Sequence, residues 1–331
     1  MPIALLKFPK DLLGDVFEQF HPFELYCISK CSKRIRNSVK LGGTQKWKIS
    51  YAMSETTVSC EDMNFVFKYS KKPDDYFTRR TNRYGIETEM YTEYPHVGAI
   101  DLFGYLLETF GIRIIKCLWT DTKEWNSFSE IAKHLINSKT EIEKWELYSN
   151  GNKDNIVENI MSVINKVNIT QGFECFVQFA SDFQHQFIRY PKEISLRTSS
   201  WFTIDQLLNC TCVQVDLYDS MLSNQDINVF FEKWKKPGTF PNLQLLFISS
   251  DRIDEESPIL DMSPPIRNVE TPIKVIKSIP SYFSDWMFTN LKYSFKVIKE
   301  DGTERWLRII GKSFYFVVCD PSNSENSPRL K

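Results

Sequence analysis

Apolar residues recur at spacings of three and four through the first 45 residues, which is the period of amphipathic helices. Proline suits the first turn of a helix, so Pro9 marks the start of the first one. The apolar positions of this helix are Leu12, Leu13, Val16, Phe17 and Phe20. Pro22 begins a second helix, Ser32 caps a third through its hydroxyl, and Gly42 and Gly43 end it. The pattern therefore predicts three short helices in this segment.

The first helix carries more bulky apolar side chains than one buried stripe requires. A bundle of about 40 residues is also marginal on its own, because it buries too little surface. The pattern leaves two alternatives, in which these side chains either face a partner or form core with the rest of the chain. Periodicity does not decide between them.

Residues 46–117 favour short extended segments rich in β-branched and aromatic residues, which predicts a β-rich connecting region. Within it, the stretch KKPDDYFTRRTNR interleaves basic side chains with aromatic ones. The basic residues are Lys71, Lys72, Arg79, Arg80 and Arg83. Because Asp74 and Asp75 interrupt the positive charge, we interpret the stretch as a solvated loop and expect no nucleic-acid partner.

Residues 118–250 repeat a unit in which a short strand, ending in serine, threonine or asparagine, alternates with an amphipathic helix. The strands are WELYSN from Trp145, ISLRTS from Ile194, VDLYDS from Val215 and LLFISS from Leu245. Helices at 152–165 and 223–234 each place their apolar residues on one face. The spacing of the last three strands is near that of leucine-rich repeats. We therefore predict an irregular leucine-rich-repeat-like strand-helix array with a mostly parallel sheet and a broad surface for binding proteins.

The carboxyl-terminal part begins with a connection rich in proline, residues 251–280. Residues 281–319 predict a β-hairpin region, because extended stretches flank Asp301-Gly302, a favoured turn dipeptide. A further strand is expected from Phe314 to Cys319. The polar residues 320–331 predict a disordered tail.

The composition of the chain limits its class of partner. The 331 residues carry 41 basic and 42 acidic side chains, so no overall field attracts nucleic acid or an anionic membrane. No apolar run reaches the ~20 residues of a spanning helix, and the amino terminus has no signal-peptide pattern. We therefore expect an intracellular protein of the cytoplasm or nucleus, without a membrane partner, whose eight cysteines are thiols rather than disulfides.

No set of residues has the spacing of a catalytic or metal site. The four histidines, His21, His96, His134 and His185, lie far apart, and none has zinc-ligand spacing with another histidine or a cysteine. The 12 glycines form neither a P-loop nor a dinucleotide fingerprint. We expect no catalytic residue, no metal and no cofactor. A thiol enzyme or hydrolase in the strand-helix region stays a rival, since any cysteine there can meet a distant histidine in space.

The amino-terminal stretch FPKDLLGDVFEQFHPFELYCISKCSKRIRNSVK combines Phe8-Pro9, paired leucines, Val16-Phe17, Pro22-x-Glu24-Leu25, and Ser32-Lys33-Arg34 before Val39. It resembles an F-box. The resemblance implies a three-helix module over residues 3–45 that docks on a Skp-type adaptor protein and, through it, on a cullin. The adaptor-binding residues that it implies are Pro9, Leu12, Leu13, Val16, Phe17 and Leu25. Ile35 stands where many family members have a tryptophan, so we expect the third helix to pack differently while the docking face is kept.

A second stretch, residues 200–249, contains Trp201, Asp205-Gln206-Leu207-Leu208, Asn224-Gln225-Asp226, Phe231 to Trp234 and Leu243 to Phe247. It resembles the F-box-associated (type 2) region of the large nematode F-box families, the region to which substrate presentation is ascribed. The resemblance defines no binding residue in it. The implied fold class is α/β and multi-part, with the F-box, the strand-helix array and the β-hairpin region in that order.

Together the two resemblances imply the substrate-recognition subunit of an SCF-type cullin ubiquitin ligase. Such a subunit is not an enzyme, because it holds an unknown protein substrate close to partners that carry out the chemistry. The alternative is a non-degradative protein-binding scaffold of the leucine-rich-repeat-like type, which binds its partner without changing the partner's lifetime.

Overall fold

The computed structural model divides the chain into two units, Met1–Glu174 and Cys175–Lys331. The structure describes residues 7–69, 77–82, 85–92, 98–149, 154–257, 259 and 295–317. Each unit combines helices with strands, so the chain is a mixed α/β protein.

The first unit begins with helices and continues with strands and helices. Its helices are α1 (Lys10–Glu18), α2 (Pro22–Ser29), α3 (Lys33–Ser38), α4 (Ala99–Phe110), α5 (Trp125–Ser138) and α6 (Asp154–Ile164). Its strands are β1 (Lys48–Ala52), β2 (Glu55–Cys60), β3 (Met63–Tyr69), β4 (Phe77–Asn82), β5 (Gly85–Thr92), β6 (Ile114–Asp121), β7 (Glu141–Tyr148) and β8 (Asn168–Phe176), within which the unit ends.

The strands of the first unit form a mixed sheet in the order β8-β7-β6-β1-β2-β3-β5-β4. β1 pairs in parallel with β6, and β6 with β7, because helices occupy the connections between them. β1, β2 and β3 pair antiparallel through short turns, and β4 pairs antiparallel with β5. Alternate residues of β1 are buried, which gives the sheet one core face. Large core side chains of this unit are Tyr51, Phe67, Phe103, Phe110, Phe128 and Trp145.

The second unit has helices α7 (Ile204–Asn209) and α8 (Asn224–Trp234). Its strands are β9 (Glu193–Leu196), β10 (Gln214–Leu217), β11 (Leu245–Ser249), β12 (Phe295–Ile298), β13 (Glu304–Ile310) and β14 (Ser313–Val317). β9, β10 and β11 pair in parallel. β14 pairs antiparallel with both β11 and β13, and β13 pairs antiparallel with β12. The ring of Phe231 meets those of Trp234, Phe314 and Phe316 at 5.6–5.9 Å between centroids, so α8 packs on the sheet.

The strands predicted from Trp145, Ile194, Val215 and Leu245 are present as β7, β9, β10 and β11, and the predicted helices at 152–165 and 223–234 are α6 and α8. The parallel pairing of β9, β10 and β11 confirms the mostly parallel arrangement predicted there. The seven cysteines in the described residues are all free thiols, in agreement with the sequence.

The structure adds a helix to one predicted region of the first unit and corrects a second prediction there. The region 46–117 holds α4 as well as strands, and its predicted end at residue 117 falls inside β6. The stretch around Arg79 and Arg80 is not a loop throughout, because residues 77–82 form β4 paired with β5. Residues 70–76 and 83–84 of that stretch lie outside the described residues, as do most of the predicted connection 251–280 and the whole predicted tail 320–331.

Candidate functional site

The first helix presents two different stripes of apolar side chains. Pro9 stands at its N-cap position, and its carbonyl accepts a hydrogen bond from the Leu13 amide at 2.9 Å. Leu13 and Phe17, one turn apart, are only 4% and 0% exposed. Leu12 is 45% exposed, and Val16, one turn after it, is half-buried. The α1 helix thus inserts one stripe into the first unit and leaves the stripe of Pro9, Leu12 and Val16 open to solvent.

The second helix begins at a capping box built on a histidine. The amide of Glu24 donates to Nδ1 of His21 at 3.3 Å, and the amide of His21 donates to the Glu24 carboxylate at 3.0 Å. Pro22 occupies the first helical position, where it leaves no amide unpaired. Leu25, half a helical turn from Phe23, is fully buried. The capping box therefore defines the first residue of α2, because it pairs backbone amides that would otherwise have no partner at the start of the helix.

The third helix and the turn after it return the chain against α1. Ser32 caps α3 by accepting a hydrogen bond from the Ile35 amide at 3.2 Å, as predicted. A 3₁₀ turn, Val39–Gly42, follows, and Gly43 ends it with a φ of 68°. A Cβ on Gly42 would lie 2.7 Å from the Cβ of Phe17 and 2.9 Å from its carbonyl carbon. Gly42 therefore lets the 3₁₀ turn approach the α1 backbone more closely than any other residue permits.

The aromatic side chains of α2 pack on strand β3 of the same unit. The Phe23 ring lies edge-on to the rings of Phe65 and Phe67, with centroids 5.3 and 4.8 Å away. Tyr26 meets Phe67 at 5.4 Å, and His21 stacks on Phe65 at 5.6 Å. Burial raises the pKa of the Tyr26 hydroxyl. Edge-on aromatic pairs of this kind add to the free energy of burial, so they attach the helices firmly to the sheet.

Polar contacts attach the same helices to α4. The hydroxyls of Ser29 and Tyr105 share a hydrogen bond of 2.8 Å. The Arg36 guanidinium binds Glu108 at 3.1 Å and lies 4.3 Å from the Tyr105 ring centroid. The Lys30 ammonium also lies over the Tyr105 ring, 3.6 Å from its centroid. Burial, together with the charge of Arg36, lowers the pKa of Lys30. The amino-terminal helices are therefore part of the first unit and not a module joined to it by a linker.

The structure separates the six predicted docking residues into two groups. Leu13, Phe17 and Leu25 are buried in the core of the first unit, where they hold the helices in place. Pro9 and Leu12 are exposed, and Val16 is half-buried beside them. Adaptor binding by all six residues stays a prediction. In the structure of this chain, Pro9, Leu12 and Val16 are the members of the set whose side chains have substantial area accessible to a partner.

Sequence reasoning missed several residues on which these helices depend. The capping role of His21 is signalled by Glu24 three residues later, although histidine is an unusual N-cap. The close approach at Gly42 has no signal in the sequence beyond its place in the glycine pair that is predicted to end the third helix. The contacts of Tyr105 were out of reach because α4 itself was not predicted.

Among the described residues, no three histidine, cysteine, aspartate or glutamate side chains come together as metal ligands. No helix in that part of the chain is long and apolar enough to cross a membrane.

Comparison with known families assigns two segments of the chain. A model described as F-box domain matches residues 5–41, which contain α1, α2 and α3. A model described as F-box associated matches residues 182–248, from the loop before β9 into β11. No curated protein and no solved structure matches the chain.

Proposed function

We propose that this chain, which carries an F-box domain and an F-box-associated region, is the substrate-recognition subunit of an SCF-type cullin ubiquitin ligase. The observation that carries the proposal is the coincidence of the F-box match with α1–α3 and their open apolar stripe of Pro9, Leu12 and Val16. A Skp-type adaptor covers this stripe and links the chain to a cullin. The chain itself supplies proximity and no catalytic group.

The exposure of Leu12 supports this docking face. A leucine that is 45% exposed, in a helix whose Leu13 and Phe17 side chains are buried, gains free energy when a partner covers it. Leu13, Phe17 and Leu25 contribute indirectly, because their burial holds α1 and α2 in place. The rest of the chain presents the substrate, and its alternation of parallel strands with helices supports an irregular leucine-rich-repeat-like array with a broad protein-binding face.

The test is co-purification of the chain with a Skp-type adaptor, comparing wild type with Leu12→Asp. A charge placed in an apolar interface costs about 2 kcal/mol or more, so we expect adaptor affinity to fall at least ~30-fold. Leu12→Asp suits the test because the Leu12 side chain already meets solvent, so we expect the variant to fold. Aspartate at Leu13 or Phe17 would instead put an unpaired charge in the core and unfold the helices.

The matched control is Met53→Asp. Met53 is 74% exposed, lies in the turn between β1 and β2, and has a positive φ of 50° that aspartate tolerates. This variant is expected to bind the adaptor like wild type. Failure of the wild-type chain to bind any Skp-type adaptor, or equal binding by Leu12→Asp, would refute the docking proposal.

The scaffold alternative predicts adaptor binding without degradation of the bound partner. Depleting the chain and measuring the turnover of its captured partner separates the two functions. A longer partner half-life after depletion supports the ligase role, and an unchanged half-life supports the scaffold. The ligase role also places the chain inside the cell, in the compartment of its adaptor.

A further inference from the structure

A cavity of about 350 Å³ lies in the second unit, between the end of α7 and the segment that follows α8. Its lining residues all fall between 208 and 243, inside the F-box-associated match. The buried side chains of Cys212, Phe240 and Leu243 give it an apolar floor. Its volume is at the lower end of the range of small-ligand sites, about 300–1,000 Å³, and suits one or two side chains of a peptide.

The wall of the cavity after α8 is held in an unusual backbone conformation. Phe240 is buried and has a positive φ of 46°, which is rare for an aromatic residue. Gly238, two residues earlier, has a φ of 74°. Backbone of this kind persists where the surrounding fold over-determines it, and it is concentrated at binding sites. The Phe240 ring is fixed by contact with Phe230, 5.0 Å between centroids.

The charge at the cavity is positive. Lys233 of α8 lines it, and its ammonium donates to the Leu208 carbonyl at 2.5 Å and lies 5.7 Å from the Phe240 ring centroid. Among the described residues, the Leu208 carbonyl is the hydrogen-bond acceptor of the Lys233 ammonium, and no carboxylate oxygen lies within 4 Å of that ammonium. The ammonium has three donors, so two remain for a ligand. Glu232, the adjacent acid on α8, is exposed.

A second lysine stands behind the same wall. The ammonium of Lys299, 7% exposed, donates to the carbonyl of the lining residue Thr239 at 2.5 Å. Burial lowers its pKa, the charge of Asp301 opposes that effect, and the charge of Arg305 adds to it. The two ammonium groups thus both bind backbone carbonyls around the cavity, where their charge is less screened than at an open surface.

We propose that this cavity binds an anionic side chain of a protein segment, with Lys233 as the residue that pairs with the anion and Phe240 as the apolar contact. Carboxylates and phosphates share the chemistry that the ammonium recognises. That the segment belongs to the ligase substrate rests on the function proposed above. The anion preference of the cavity does not, because it is a property of the isolated chain.

Disulfide capture of small fragments tests the preference directly. Asn242, exposed on the cavity rim, is replaced by cysteine, and the variant is equilibrated with three disulfide fragments that differ only in their end group: carboxylate, phosphonate or carboxamide. Capture at position 242 is measured by peptide mass spectrometry at a fixed reductant concentration. We expect about tenfold more capture of at least one anionic fragment than of the carboxamide. Whether carboxylate or phosphonate is preferred distinguishes acidic from phosphorylated segments.

Matched variants make the outcome specific to Lys233. When either Lys233→Met or Lys233→Gln is added to Asn242→Cys, the preference for anionic fragments should disappear. The glutamine variant is included because it keeps a donor for the Leu208 carbonyl, which matters if methionine destabilises α8. Lys235→Met, which removes an exposed lysine nearby, should leave the preference intact. Ile188→Cys, at a 74% exposed site, should capture all three fragments alike. Equal capture of anionic and amide fragments at position 242, or a preference that survives both Lys233 variants, overturns the proposal. Either result leaves the adaptor-binding test unaffected.

Discussion

Replacing Gly42 by alanine should displace α1 from the 3₁₀ turn that supports it. The new Cβ would stand 2.7 Å from the Cβ of Phe17, whereas ordinary contacts begin at 3.4 Å, so the two segments must separate by at least 0.7 Å. A second clash, 2.9 Å from the carbonyl carbon of Phe17, involves backbone and cannot be relieved by a rotamer change. Overpacking of this severity typically costs about 1–3 kcal/mol. We expect about 2 kcal/mol here, because Phe17 is fully buried and has nowhere to move.

Hydrogen exchange of the α1 amides measures this loss where it arises. A loss of 2 kcal/mol from the local opening free energy corresponds to roughly 30-fold faster exchange of α1 peptides. Adaptor affinity should fall as well, because α1 carries Leu12. Gly172→Ala is the control, since its Cβ would meet only the flexible Lys144 side chain at 3.4 Å. Exchange of α1 at the wild-type rate in Gly42→Ala would show that the close approach does not support the helix.

Two further perturbations test other parts of the structure. Phe67→Ala removes a fully buried ring that contacts Phe23 and Tyr26. We expect urea unfolding to show that the free energy of unfolding falls by about 3–5 kcal/mol, and we expect adaptor binding to be lost. Adaptor binding at full affinity would refute the coupling of β3 to the helices. Burial lowers the pKa of His185 to about 4, below its unfolded value of about 6.5. Between these two pH values the unfolded state binds more protons than the folded state. The free energy of unfolding should therefore fall as the pH drops from 6.5 to 4. His185→Gln should flatten this part of the stability profile and His134→Gln, at an exposed position, should not; a profile unchanged by His185→Gln would contradict the assignment.

The sequence predicts the elements whose pattern is local. The strand from Leu245 and the helix over 224–234 are found where expected, because alternation and a 3.6-residue period each leave a clear signature. Helix α4 was missed although Ile100, Phe103, Leu107 and Phe110 have helical spacing. Its aromatic residues and its central Gly104 are typical of the strands around it in the sequence. Seven of its twelve residues are buried, so the helix lacks the continuous polar face that marks an amphipathic helix.

The candidate site shows a different limit. Periodicity identifies Leu12 and Leu13 equally as apolar helix positions, yet one is exposed and the other is 4% exposed. The difference depends on which side of α1 meets the 3₁₀ turn at Gly42, and that contact joins segments about 25 residues apart. The cavity beside Lys233 is likewise invisible in the sequence, since it forms from the end of one helix and the segment after another.

The rings of Phe23, Tyr26, Phe65 and Phe67 and the cluster around Tyr105 have a consequence for how a ligase built on this chain would work. Their contacts join the F-box helices directly to β3 and α4 of the first unit. An adaptor bound to these helices, as proposed above, would therefore hold that sheet at a fixed angle. A target bound to the sheet would offer the ubiquitin donor only the lysines that lie within a fixed arc. Lysine choice would then follow from the shape of the folded unit, and loosening these rings would widen it.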